Sequence, residues 1–378
     1  MYHCAHRFQH ATEWSAHFWE WLPIVIFTLV FGFRYGVGID YNNYMSIYEY
    51  TEDYSFSDIL EYERFEPGFS TLVYICHYIN APVYVFFSLI AFLQIYFIDK
   101  AFKDQKEVLP YAYMTLILTG VCMLTFMNIM RQIVAFCIFL FSIQYICNNK
   151  LLKYWICCLL ALSFHKSAII LFPLYFIWIR KKGFFNKPIV LLVMILISIC
   201  TVHITSWQTI LHYFDNFIAM LGYGDYIDRA EAYVNSGGRG IGLFDLFELL
   251  IFAMVVFLIP QMKEYFKSDF FNVLFDLFII GICAKYVFKG SMLLDRMIVY
   301  FTTTQFIILA YTLCYLYNTK KENASLMIKY VVTLFFIISS YGRFTYYCEQ
   351  NTGAYVSYFQ DDLHNLKDLQ REDVLEKH

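Results

Sequence analysis

The chain has 378 residues, of which 60% are hydrophobic and 16% are charged, and its formal net charge is −3. Soluble domains carry about 25% charged residues, so this composition excludes an ordinary soluble protein, and we expect no nucleic-acid partner. Aromatic residues make up 21% of the chain, with 33 Tyr and 40 Phe. Because tyrosine favours the membrane–water boundary, the composition indicates a protein with many membrane crossings.

Eleven hydrophobic stretches are candidates for membrane spans, since a helix needs about 20 apolar residues to cross about 30 Å of hydrocarbon. In chain order they are residues 19–34, 82–99, 110–128, 131–147, 151–164, 166–180, 187–204, 243–260, 270–288, 295–317 and 325–342. We therefore predict an all-α integral membrane protein, a polytopic helical bundle of about 11 transmembrane helices. The weaker stretch 67–80 is interrupted by His77, and we expect a helix partly inserted near the membrane surface.

Lysine and arginine concentrate in one set of short loops, which the positive-inside rule places in the cytoplasm. These basic loops lie at residues 100–106, 150–153, 180–187, 263–267 and 320–329. The same rule places the N-terminus inside and two large loops, 35–66 and 205–242, outside. We expect residues 1–345 to form a single transmembrane catalytic domain and residues 346–378 a polar C-terminal tail on the outer side.

Residues 151–180 hold two unusually short predicted spans. One long helix would put the basic clusters at its two ends on opposite sides of the membrane, which the positive-inside rule disfavours. Two passes of about 14 residues each extend only about 21 Å. We therefore predict a turn at His165–Lys166 that lies below the outer surface in a wet cavity. A shallower bend of the same kind is predicted at Asn128–Arg131.

Several common catalytic motifs are absent from the sequence. It contains no phosphate-binding G-x-x-x-x-G-K-[ST], no H-E-x-x-H and no G-x-S-x-G. We expect no cofactor and no metal site, and any chemistry would have to come from side chains at the outer ends of the helices.

Cationic side chains stand at the outer ends of several predicted spans, where the positive-inside bias does not explain them. An arginine fork donates two hydrogen bonds to one oxyanion, which suits phosphate. Each of these side chains could equally reach the membrane surface or pair with a neighbouring acid. The candidates for binding a pyrophosphate are Arg34, Arg131, Arg296 and Lys166.

Three residues are candidates for accepting a proton. Asp40 could be a general base or could pair with Arg34, and Glu66 could be a base, bind sugar hydroxyls or simply start a helix. The ordinary pKa of a histidine lies near working pH, so His165 could accept a hydroxyl proton, although a packing role for it stays open. In the loop 205–242, the candidates for sugar binding are Tyr223, Tyr226 and Arg229, since aromatic rings stack on sugars.

Five blocks of sequence together resemble the EpsG family, polytopic enzymes related to the Wzy-type polysaccharide polymerases. The blocks are FRYGVGIDYNNY at 33–44, EPGF at 66–69, MRQ-x-x-A at 130–135, SFHKSAIILFPLYF at 163–176 and LLDRMIVYF at 293–301. Their order extends across residues 30–345. The motif match carries over the positions Arg34, Asp40, Glu66, Arg131, His165 and Arg296.

This resemblance implies a glycosyltransferase that joins oligosaccharide repeat units linked to undecaprenyl pyrophosphate, for exopolysaccharide, capsule or O-antigen. It implies the outer face of the bacterial cytoplasmic (inner) membrane, metal-independent chemistry with inversion at the sugar, and lipid pyrophosphate as leaving group. The implied partners are the lipid-linked donor and acceptor, the bilayer and a chain-length regulator protein. The arginines would hold the pyrophosphate, and His165, or failing it Asp40 or Glu66, would take the acceptor proton.

Two other functions stay open. An O-antigen ligase or another lipid-phosphate-dependent transferase would use the same groups, and a flippase for lipid-linked sugars would show internal repeats and broken helices near the midplane. One departure from the family concerns the first residues. Family members usually have another hydrophobic span before the first block, whereas residues 1–19 are polar, so the start is either divergent or lacks that helix.

Overall fold

The computed structural model describes residues 13–38, 40–61, 65–178, 185–201, 242–288 and 292–319, together with positions 333, 341 and 356–357. The chain divides into two compact units, Met1–Phe172 with Ser340–His378, and Pro173–Ser339. The outer loop expected at 205–242 and most of the span expected at 325–342 lie outside the described residues.

Five helices within the described ranges are long and apolar enough to cross a membrane, and a sixth candidate is a bent pair. Four further apolar helices have only 10–17 residues, short of the about 20 that a full crossing needs. The all-α membrane fold is therefore supported, while the expected count of about eleven spans is not. The five long helices are Val83–Ala101, Met130–Cys147, Asp245–Phe266, Asp269–Val287 and Leu294–Asn318.

In the first unit, four helices pack side by side in a row. Helix α1 (Glu13–Gly32) contacts α5 (Val83–Ala101), α5 contacts α8 (Met130–Cys147), and α8 contacts α9 (Leu151–Phe164). Packing between membrane helices depends on close van der Waals contact, and the close approach of α1 to α5 is possible because Gly32 has no Cβ to collide with Ser88.

The first predicted outer loop is largely structured. Its first residues form strand β1 (Arg34–Tyr35), which pairs antiparallel with strand β2 (Val356–Ser357). Three short helices follow, α2 (Tyr41–Tyr50), α3 (Phe56–Glu61) and α4 (Pro67–Tyr78). Helix α4 coincides with the stretch expected to lie near the membrane surface, and the strand pair places part of the C-terminal tail beside the start of this loop.

The polypeptide breaks twice before α8. Helices α6 (Leu109–Leu118) and α7 (Gly120–Asn128) are bent by 81° at Thr119. The sequence prediction missed this bend, where a Thr–Gly pair stands and the Thr119 hydroxyl donates to the carbonyl of Thr115 (2.6 Å). The second break, at Ile129 between α7 and α8, falls where a bend was predicted.

The predicted turn at His165 is present. Helix α9 ends at Phe164, His165 has an extended backbone, and a 3-10 helix, Lys166–Leu171, follows. The Tyr154 hydroxyl donates to the carbonyl of Leu171 (2.6 Å), so the chain folds back along α9 after the turn.

The second unit contains six described helices: α10 (Leu174–Trp178), α11 (Pro188–Thr201), α12 (Leu243–Phe266), α13 (Asp269–Val287), α14 (Met292–Thr302) and α15 (Gln305–Asn318). Helix α13 contacts α11, α12, α14 and α15, so it is the centre of this unit. Buried Asp276 on α13 accepts a hydrogen bond from the Trp178 indole (2.9 Å).

The α13–α14 contact depends on Gly281, where a Cβ would lie 2.6 Å from the backbone of Phe301. We expect Gly281→Ala to destabilise the protein by about 1–3 kcal/mol, because backbone atoms cannot move aside as a flexible side chain can. Thermal unfolding in detergent measures the effect. Gly242→Ala is the control, since its Cβ would meet only Asp245 at 3.9 Å, and equal unfolding midpoints for the two variants would contradict the prediction.

Candidate functional site

Most of the candidate residues lie in the first unit, and one lies in the second. Arg34, Asp40, Glu66, Arg131, His165 and Lys166 belong to the first unit, and Arg296 belongs to the second. The sugar-binding candidates Tyr223, Tyr226 and Arg229 lie outside the described residues.

Glu66 connects three segments that are distant in sequence. It precedes α4, whose first residue, Pro67, favours a helix start. Its Oε2 lies 2.6 Å from Nη1 of Arg131 on α8, and its Oε1 accepts the backbone N–H of Lys166 at 3.2 Å. The carboxylate therefore ties the start of α8 to the turn after His165.

Arg131 stands two residues beyond the break at Ile129 and is surrounded by aromatic rings. Its guanidinium carbon lies 5.3 Å from the ring centroid of Phe69 and 5.9 Å from those of Tyr44 and Phe65. The Arg131 side chain is 23% exposed and that of Glu66 is 11% exposed. A cation held by ring faces and one carboxylate is fixed in direction, yet an oxyanion can still approach it.

His165 lies at the end of a buried hydrogen-bonded chain. Its Nδ1 is 2.6 Å from the Ser167 hydroxyl and also accepts the Ser167 backbone N–H at 3.3 Å. The Ser167 hydroxyl in turn accepts a hydrogen bond from Nε2 of Gln132 at 3.2 Å. Two adjacent residues of α8 are thus linked to the turn. Arg131 is linked through Glu66 to the N–H of Lys166, and Gln132 is linked through Ser167 to His165.

Gln132 and Ser167 were not among the residues selected from the sequence. Both stand inside the quoted MRQ and FHKS blocks, which is the signal that could have found them.

The absence of a Cβ on Gly68 allows α4 to pack against the end of α9. A Cβ on Gly68 would lie 2.8 Å from the carbonyl oxygen of Ser163 and would also collide with its hydroxyl. Because Glu66 and Gly68 flank Pro67, the glycine lets the start of α4 come against the residues that precede His165.

Arg34 is enclosed, with a relative exposure of 1%. Its Nη2 donates to the Met127 carbonyl and contacts the Met130 sulfur, both at 2.9 Å. Its Nε donates to the Val37 carbonyl (3.3 Å), and its Nη1 donates to the Phe31 carbonyl. These bonds hold the first outer loop to the break before α8, and a pyrophosphate could reach this guanidinium only if the enclosing backbone moved.

The loop between Arg34 and Asp40 packs against the same break. Gly38 has a φ of +105°, and a Cβ there would collide with the side chain of Asn128. This backbone conformation suits glycine and allows the close approach. Half-buried Asp40 follows two residues later, immediately before α2, so this loop brings a carboxylate toward the segment that carries Arg131.

The second unit has its own charged group. Half-buried Arg296 lies in the first turns of α14. Lys285, in the last turn of α13, forms an ion pair with Glu248 of α12 (2.6 Å). Gly281 on α13 lies against Phe301 on α14. Lys285 stands four residues after Gly281, and residue 297 stands four residues before Phe301, so the two lie at about the same level along these neighbouring helices. The sequence prediction missed this ion pair because Lys285 stands inside an apolar stretch.

Comparison with known proteins gives one family. The EpsG family matches residues 19–358 of the chain, a range that contains all the residues of the site described above. The match confirms the resemblance predicted from the five sequence blocks. No curated protein and no solved structure matches the chain.

The Glu66–Arg131 pair predicts a measurable coupling. We expect Glu66→Gln to cost about 2 kcal/mol of stability, because it leaves a half-enclosed guanidinium without its carboxylate. Exposed Glu61 on α3 supplies the control variant Glu61→Gln. A double-mutant cycle of Glu66→Gln with Arg131→Gln, followed by thermal unfolding, should give a coupling of about 0.5–3 kcal/mol. Independent effects would show that the pair does not form.

Proposed function

The chain belongs to the EpsG family, and on that premise we propose that it joins oligosaccharide repeat units linked to undecaprenyl pyrophosphate. The family has a polysaccharide-polymerase role and is membrane-bound. We place the reaction on the outer face of the bacterial cytoplasmic membrane, since the basic loops are expected inside. The observation that carries the proposal is the partly exposed Arg131, held by Glu66 next to the His165 turn.

The reaction breaks the bond between the anomeric carbon of the donor sugar and the pyrophosphate oxygen. The acceptor hydroxyl forms the new bond to that carbon and loses its proton, and direct displacement inverts the anomeric centre. Negative charge grows on the leaving pyrophosphate, so a fixed cation aimed at it lowers the barrier. We assign this role to Arg131, with Lys166 at the exposed rim. We keep Arg296 of the second unit as a pyrophosphate-binding residue on the ground of its sequence motif alone.

We assign two of the remaining groups by their contacts. Glu66 already accepts from Arg131 and from the Lys166 N–H, so its place in the reaction is to hold Arg131 in position. Asp40, at the end of the loop that packs against the break before α8, is our choice for the acceptor of the hydroxyl proton. Arg34, with its guanidinium nitrogens bonded to protein groups, positions that loop.

The rest of the proposal depends on residues outside the described ranges and on other proteins. We keep Tyr223, Tyr226 and Arg229 as sugar-binding residues of the loop 205–242, and a chain-length regulator as a partner.

One observation favours a second candidate, a flippase for lipid-linked sugars. The pair Leu109–Leu118 and Cys122–Asn128 is bent by 81°, and broken helices are typical of transporters. A flippase would move the lipid-linked unit across the bilayer without forming a glycosidic bond.

Reconstitution in proteoliposomes tests the proposal. The substrate is the lipid-linked repeat unit isolated from the producing cell with this gene deleted, and the products are separated by size. We expect a ladder of products. A single transfer to another acceptor would indicate a ligase, and movement of the lipid without new bonds would indicate a flippase.

The same assay tests the site. We expect Arg131→Gln to slow ladder formation by about 100-fold, because a preorganised donor to the leaving group is lost. Arg131→Lys should recover only part of the rate, since an ammonium lacks the planar fork. The control is Lys153→Gln, which removes an exposed cation of α9. Normal ladders from both Arg131 variants would overturn the assignment.

A further inference from the structure

The hydrogen bonds around His165 fix which ring nitrogen carries its proton. The Ser167 backbone N–H lies 3.3 Å from Nδ1, and a backbone N–H can only donate. Nδ1 is therefore the acceptor and carries no proton.

The hydrogen bond between the Ser167 hydroxyl and Nδ1 of His165 has the same direction, with Nδ1 as the acceptor. The Ser167 hydroxyl has one proton to donate, and the amide nitrogen of Gln132 donates to its oxygen. The hydroxyl proton is then directed to Nδ1, 2.6 Å away. Gln132 and Ser167 are each 1% exposed, so water does not compete for these groups. The direction of donation runs from Gln132 through Ser167 to His165.

A neutral imidazole with Nδ1 as acceptor has its proton on Nε2. We propose that Gln132 and Ser167 hold His165 as the Nε2–H tautomer, so that His165 acts in the polymerase reaction as a hydrogen-bond donor to a substrate oxygen. A base at this position would need an unprotonated Nε2, and forming one would place a proton on Nδ1 against the Ser167 N–H. The role of the ring rests on the proposed function, whereas the tautomer does not.

The local backbone explains why a histidine stands here. His165 is the N-cap of the 3-10 helix Lys166–Leu171, and its side chain accepts the Ser167 N–H. Asn, Ser or Asp is the ordinary residue for that task. A histidine does the same with Nδ1 and adds a second nitrogen, Nε2, on the other side of the ring. The N-cap hydrogen bond of His165 therefore orients its Nε2–H as a donor.

The tautomer can be measured without any assay of activity. Ring ¹⁵N and ¹³C shifts of labelled histidine distinguish the Nδ1–H and Nε2–H forms, and comparison with His165→Gln identifies the His165 signals. We expect the Nε2–H form in the native protein and a larger share of the Nδ1–H form in Ser167→Ala. A native Nδ1–H form would overturn the tautomer assignment. An unchanged tautomer ratio in Ser167→Ala would overturn the part given to the Ser167 hydroxyl, because the backbone N–H that donates to Nδ1 remains in that variant.

Two substitutions of His165 separate the cap from the donor. In His165→Asn the side chain can still cap the 3-10 helix but cannot reach the position of Nε2. In His165→Gln the amide N–H reaches toward that position. We expect ladder formation by the Gln variant to be within about tenfold of native and that by the Asn variant to be about 100-fold slower.

The donor role of His165 and the polymerase function would fail with different results. If the Asn and Gln variants are slowed equally, and native activity falls on acidification while the residual activity of the Gln variant does not, His165 is a base and the donor role is wrong. If the native protein makes no ladder while its ring is the Nε2–H tautomer, the tautomer assignment stands and the proposed function fails.

Discussion

The contact between Glu66 and Arg131 is the interaction on which the site depends. Two charges in a partly enclosed, apolar setting lose much of their hydration, and their attraction compensates only when the geometry is good. The geometry is good here, because Nη1 of Arg131 and Oε2 of Glu66 are 2.6 Å apart. A leucine pair would pack in the same volume without that cost. The pair therefore indicates a task that apolar side chains cannot perform, and charged residues inside membrane proteins commonly mark such tasks.

Several irregular backbone segments lie around the Glu66–Arg131 pair. No helix or strand is present among the described residues between β1 and α2, α7 and α8 are separated at Ile129, and α9 stops before His165. Interruptions of this kind leave N–H and carbonyl groups that lipid cannot satisfy. Side chains of the site accept or donate to several of them, as Arg34 does to the Met127 carbonyl and Glu66 does to the Lys166 N–H. The polar residues of the site thus also hold the chain in the shape that creates it.

The sequence predicted the parts of this arrangement that have local causes. Span length and basic loops were enough to predict the turn at His165 and the break near Asn128, and recognisable blocks were enough to indicate the family. The count of about eleven spans is not confirmed, because four apolar helices in the described ranges have only 10–17 residues and most of the last expected span lies outside those ranges. The link from Gln132 to Ser167 joins residues 35 apart, and no local pattern reveals such a pair. Arg34 was selected for its position at the end of a predicted span, whereas its carbonyl partners exist only in the folded chain.

The donor role proposed for His165 agrees with the chemistry of the proposed pyrophosphate leaving group. When the bond to such a group breaks early, charge builds on the departing oxygens before the acceptor hydroxyl has become strongly acidic. The barrier then depends more on donors aimed at those oxygens than on a strong base. In this proposal Arg131 and the Nε2–H of His165 are both donors, held by Glu66 and Ser167 at the same short turn. A change at that turn would therefore displace both donors together, which explains why so much of the polar structure of the first unit converges there.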